Sequence, residues 1–193
     1  MNSIWSRTLV SFQEGAAGTD PVPAGVSVAS VTASFGLALL IKVLEIGSRR
    51  KNFAGDREQI RKLIEAARRE SAQLAEASER DIAAFGPRMT RAMIEIPMSA
   101  ARSAAAGLDL CAEAAGLVQE VVQGLVAADL GAAAAILHGA LRAILLCVDF
   151  NLSRFRSDEL FSEAIRAEKY TLQDRAEKQA KAVLARAAPS GGS

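Results

Sequence analysis

A carboxylate near the end of a long helix is poorly placed, and "SERDIAAF" puts Asp81 there. The negative end of the helix dipole disfavours an anion. The position implies either a carboxylate kept for acid/base chemistry or a salt bridge with a neighbour such as Arg80 or Arg88. A second set of ionisable groups lies in "LGAAAAILHGALRAILLCVDFN". At 100° per residue, His138, Arg142 and Asp149 share one side of a helix. Three such groups on an apolar helix are costly to bury unless they pair. Read as chemistry, His138 works as an acid or base, Arg142 holds an anionic group, and Asp149 orients one of them. Read as structure, the three form an ion network within the chain or across a dimer. Asp129 and Asn151 fall on the opposite side. They are 22 residues apart, roughly 33 Å along a helix, too far to serve one site in one subunit.

Other chemistries are poorly provided for. One histidine and two distant cysteines give no metal-ligand spacing, and no cofactor is implied. There is no Walker loop, no dinucleotide-binding glycine pattern and no nucleophile elbow. The basic run Arg49, Arg50, Lys51 could meet a phosphate, but such runs are more often solvated helix ends.

The elements that must hold these residues are helical, for no segment sustains strand-like alternation. A first helix is expected over Ile4–Gln13, then a loop through Pro21 and Pro23. A second, largely apolar helix runs from about Val26 to Gly47. Asp56 caps a long amphipathic helix that ends near Phe85, where "GPRM" breaks it. Pro97 suits the first turn of a helix reaching about Gly124. Another spans Asp129 to Ser153. The last runs from Ser157 to Ala187, its "SDEL" supplying a cap and an acidic first turn. The expectation is an all-α bundle of six or seven helices, several of them long, forming one domain over residues 1–187 with a flexible tail at 188–193.

Half of the 193 residues are apolar, only 5% are aromatic, and alanine dominates the apolar set, which suits closely packed helices. A net charge of +1 offers no footprint for nucleic acid or an anionic membrane. Cys111 and Cys147 lie in apolar helical sequence and read as two buried thiols in a reducing, cytoplasmic setting. Two segments approach the length of a membrane span, Val26–Ile41 and Leu130–Val148. The first is short and the second carries His138 and Arg142, so both read as buried bundle helices. The "MNSIWSRTLVSF" start lacks the features of a signal peptide.

Several motifs, taken in order, resemble one family. "PVPAGVSVAS" is similar to the P-x-P-G-G-G-S-x-A-A turn that opens the formiminotetrahydrofolate cyclodeaminase and methenyltetrahydrofolate cyclohydrolase family. "EIGSRRKNF" resembles its I-G-[KR]-[KR]-[YF], and "ERDIAAF" its D-x-x-A-F, with Asp81 and Phe85 matching. Ile96 and Pro97 resemble its V-P. "ADLGAAAAIL" resembles S-D-x-G-V-A-A, matching Asp129 and Gly131. "CVDFNL" resembles N-V-x-[IV]-N-L, matching Asn151. The resemblance spans about Val10 to Phe161. It implies an all-helical homodimer with a folate site near the subunit interface and chemistry that needs no metal. That chemistry expels ammonia from a formimino group or adds water to a methenyl bridge. Asp81 is then the acid/base residue, and Gly25, Ser27, Phe85, Asp129 and Asn151 are substrate-binding candidates beside Arg142 and Asp149.

The departures are as informative. The family's G-G-G-S is Ala24, Gly25, Val26, Ser27, so two glycines that admit a ligand to the backbone are absent. Cys147 replaces an asparagine, and Ala128 replaces a serine. Only 11 residues separate Phe85 from Pro97, and none forms the family's L-P-K segment. A retained Asp81 beside an altered turn implies a changed ligand. The expected function is therefore a metal-independent enzyme of this kind acting at a C–N centre of a small molecule, by cyclisation, deamination or hydrolysis, in a specialised biosynthetic pathway. The alternatives are a methenyltetrahydrofolate cyclohydrolase and a non-catalytic helical dimer.

Overall fold

The structure, a computed structural model, describes residues 3–51, 53, 55–117 and 125–188. Among these residues there are six α-helices and no strand. They are α1 (Leu9–Ala17), α2 (Gly25–Ser48), α3 (Arg57–Ala84), α4 (Ala92–Leu117), α5 (Leu125–Arg154) and α6 (Glu159–Ala187). Helices α2 to α5 form a ring in which each packs on the next and α5 returns to α2; α6 lies against α4 and α5.

The N-terminal segment departs from the single helix expected over Ile4–Gln13. Ser3 accepts a hydrogen bond from the Trp5 amide and starts a short 3-10 turn over Ile4–Ser6. Arg7 is extended, and Thr8 then caps α1 by accepting from the Ser11 amide at 3.1 Å. Two hydroxyl caps five residues apart favour two starts over one continuous helix. The short turn is tied down: Glu79 accepts from the Ile4 amide, Trp5 Nε1 donates to Ser78 Oγ at 3.0 Å, and Ile4 is buried.

Helix α3 follows its sequence signals closely. Asp56 accepts from the amides of Glu58 and Gln59, and Ile60, Leu63, Ile64, Ala67, Leu74 and Ala77 bury one stripe. The helix stops at Ala84 because Phe85 turns extended ahead of the Gly86–Pro87 pair. Helix α4 departs from expectation. It begins at Ala92, so Pro97 sits in its second turn instead of its first. The part of that expected helix over 118–124 lies outside the described residues. Asp158 caps α6 by accepting from the Phe161 amide, and Arg91 joins this corner to the start of α4 by bonding Asp158 at 3.0 Å and lying over the Phe161 ring.

The centre of the ring is where small residues matter most. A Cβ at Gly36 would come within 2.9 Å of Leu137 Cγ and 3.1 Å of the Ala133 carbonyl oxygen. One at Gly107 would meet Leu37 and Leu137 at 3.0 Å. Three helices thus converge around Leu37 and Leu137, both fully buried. Each such leucine contributes about 2–3 kcal/mol of burial. Both apolar helices, α2 and α5, are long and apolar enough to cross a membrane by length and composition; here they pack against one another in the ring.

Candidate active site

Asp81 occupies the last turn of α3, and Ser27 the first turn of α2. Ser27 Oγ is buried, with Asp81 Oδ2 at 3.1 Å and the Ser78 carbonyl at 3.5 Å. A hydroxyl has one proton, so it goes to the nearer, charged acceptor. Burial pushes the Asp81 carboxyl above its ordinary value, and the Ser27 bond partly opposes this. Neither arginine considered from the sequence is its partner: Arg80 pairs with Glu76.

Asp81 faces a cavity of about 310 Å³ at one end of the bundle. Val22, Ala24, Gly25 and Val26 enclose it from the start of α2, Phe85 from the end of α3 and Met93 from the start of α4. Leu146, Cys147, Phe150 and Asn151 close it from α5. Its walls are mostly apolar, and among the described residues lining it Asp81 is the one charged group. The expectation that both thiols are buried is corrected here. Cys111 is buried, with a thiol pushed up to about 12, but Cys147 is only half-buried and lines the chamber. Burial, with Asp81 adding to it, also raises the Cys147 thiol, which keeps it protonated at neutral pH. Its sulfur sits 2.8 Å from where a Cβ at Gly25 would be, so the glycine retained in the altered turn makes room for the residue that replaced an asparagine.

Asn151 is held from α4. Its Nδ2 donates to the Met93 carbonyl at 2.6 Å, which turns one edge of the amide away from any ligand.

The remaining candidates lie elsewhere. His138, Arg142 and Asp149 do share a side of α5, and that side faces α6. His138 Nε2 lies 3.1 Å from a Glu177 carboxylate oxygen, and Asp149 pairs with Lys169 at 2.5 Å. Arg142 lines a separate groove with Asp149, Lys169 and Gln173. None of the three lines the Asp81 chamber, so the structure does not bring His138 to Asp81 as a second catalytic group. Asp129 bonds Lys42 of α2 at 2.7 Å and is likewise absent from the chamber. Arg49 of the basic run pairs with Glu45 one turn earlier. Among the described residues no group of three His, Cys, Asp or Glu could hold a metal ion.

Val22, Met93, Leu146 and Phe150 belong to the chamber and were not singled out from sequence. Only Phe150 and Leu146 carried a usable signal: they lie four residues apart, as Cys147 and Asn151 do, and the two pairs occupy adjacent faces of α5 about 100° apart.

The helical ring is the architecture that comparison with known proteins also returns. The formiminotransferase-cyclodeaminase family model matches residues 8–91 and 87–171. The chain belongs to that family. The crystal structure of formiminotetrahydrofolate cyclodeaminase from Thermotoga maritima superposes with a TM-score of 0.71 at 19% identity, covering 95% of each chain, and so shares the fold. No curated protein matches the sequence. At a coarse level the family gives a cyclodeaminase- or cyclohydrolase-like function.

Proposed function

We propose that this protein catalyses acid/base chemistry at a carbon–nitrogen centre of a small molecule, with Asp81 as the group that moves the proton. The observation that carries this reading is Asp81 itself: a carboxyl raised by burial, held by Ser27, and exposed to an apolar chamber. A carboxyl raised toward the working pH is a better proton donor and acceptor than a free one. Protonated Asp81 gives its proton to the nitrogen that leaves carbon as the C–N bond breaks. The carboxylate then takes a proton from the attacking water or amine. The chamber favours a neutral or cationic nitrogen-containing ring, because an anion there would face Asp81 with no cation among the described lining residues.

The reading includes a homodimer. Phe35 and Ile46 of α2, and Leu146 and Phe150 of α5, are exposed apolar side chains on the two neighbouring helices, and Leu146 and Phe150 also line the chamber. A second copy on this face would cover them and shield the chamber mouth. The setting proposed is the cytoplasm, which keeps the Cys147 thiol reduced.

The test is turnover of formimino- and methenyl-tetrahydrofolate by purified protein, beside cyclic amines and amidines that lack the pterin. Asp81→Asn should reduce turnover of the true substrate at least 10²-fold, on the scale of a lost acid/base group. Hydrolysis of the methenyl compound alone would favour the cyclohydrolase reading, which family membership supports. Turnover unchanged in Asp81→Asn would overturn the assignment of Asp81.

A further inference from the structure

Pro97 lies in the second turn of a 26-residue helix. In a regular α-helix the amide at position 97 would donate to the carbonyl of Met93. Proline has no amide hydrogen, so that carbonyl loses its partner. The turn before it is otherwise intact, with the Ile94 and Glu95 amides both reaching the Arg91 carbonyl at 3.0 Å. The Met93 carbonyl is instead met from another helix, by Asn151 Nδ2 of α5 at 2.6 Å. Met93 and Asn151 both line the Asp81 chamber.

We infer that Asn151 is a positioning residue whose amide supplies the hydrogen-bond donor that Pro97 removes from α4, and that this bond holds the Met93 wall of the chamber against α5. The inference does not depend on which reaction the chamber performs. It has three physical supports. The carbonyl belongs to the second residue of α4, its intrahelical donor would be the amide that Pro97 lacks, and a carbonyl left without a donor is costly. The partner must be a donor, which fixes the amide with nitrogen toward Met93 and excludes the flipped orientation. The bond also links residues 58 positions apart, on two adjoining helices that both line the chamber. Asn151 thereby acts through Met93 and the set of α4. The N–H it gives to Met93 is not available to a substrate.

The inference makes Pro97 and Asn151 one unit, and that can be measured. The variants are Asn151→Leu, Asn151→Asp, Pro97→Ala and the two doubles. The readouts are thermal stability and the rate at which Cys147 reacts with N-ethylmaleimide in the native protein. Cys147→Ser identifies the Cys147 signal, and buried Cys111 serves as the slow internal reference. Asn151→Leu should lower the melting temperature and speed Cys147 modification roughly fivefold, the factor expected from loss of one hydrogen bond. Pro97→Ala restores a backbone amide, so in the Asn151→Leu background it should return both readouts toward wild type. If Asn151→Leu does not fold, Asn151→Asp keeps the test: its carboxyl can donate to the Met93 carbonyl only when protonated. That variant should therefore gain stability relative to wild type as pH falls, and Pro97→Ala should abolish the gain. Additive effects, with no rescue by Pro97→Ala and no acid recovery of Asn151→Asp, would overturn the inference.

Discussion

Asp81 illustrates how a single residue reports its surroundings. Its carboxyl is raised above the ordinary value of 3.8, first by burial, against the opposing bond from Ser27. The folded state therefore binds a proton more tightly than the unfolded chain between that ordinary value and the raised one. Stability falls as pH rises through this window, and the penalty is complete above it. Asp81→Asn, which carries no charge, should melt higher than wild type at neutral pH and lose that advantage below pH 4; melting curves across this range check it. Ser27→Ala removes the bond that favours the carboxylate. The carboxyl then rises further, so the alkaline limb of the pH–rate profile, where the protonated Asp81 that serves the leaving nitrogen is lost, should move to higher pH, with a stability loss of about 1 kcal/mol measured in urea. A profile that does not move would separate Ser27 from the proton-transfer group. Asp81 was legible in the sequence because its position against the helix dipole called for an explanation. Its partner was not, since Ser27 is 54 residues away and approaches only when α2 packs on α3.

At the scale of elements, packing between helices sets the tolerance for change. Gly36 of α2 faces both a leucine side chain and a backbone carbonyl of α5, and the carbonyl cannot rotate away. Gly36→Ala should cost about 1–3 kcal/mol by overpacking, despite the better helix propensity of alanine, and urea unfolding measures the difference. Stabilisation by Gly36→Ala would mean that α2 and α5 can separate at this level without loss. Helix identities were legible from capping and period: Asp56 and the Gly86–Pro87 stop mark α3 as the sequence suggests, while α6 is capped within "SDEL" by Asp158 and starts at Glu159, two residues after the expected Ser157. The start of α4 was misplaced by five residues, because proline at the first turn is only the commoner arrangement. What allows Pro97 in the second turn is a donor from α5, which no local pattern displays.

For the whole molecule, the α2 and α5 surface is the feature that a single chain leaves unexplained. Phe35 is 50% exposed, Leu146 69% and Phe150 60%, while a Cβ at Gly139 on α5 would meet nothing. The proposed homodimer uses this face. Phe35→Glu combined with Gly139→Arg should give a monomer in analytical ultracentrifugation with helical circular dichroism retained. A wild-type protein that sediments as a monomer at micromolar concentration would remove the dimer from the proposal.

The sequence by itself determined the all-helical class, most element ends and the place of Asp81 in the last turn of α3, because these depend on period, caps, breakers and charge within a few residues of one another. It also brought His138, Arg142 and Asp149 to one side of α5, since helical spacing decides that. Only the tertiary structure decided what that side faces. It turns toward Glu177 and Lys169 of α6, while the chamber draws Cys147, Phe150 and Asn151 from the adjoining part of the same helix. A helix offers several faces, and the choice among them is made by which neighbours bury the most surface, a long-range balance that spacing along one segment does not contain.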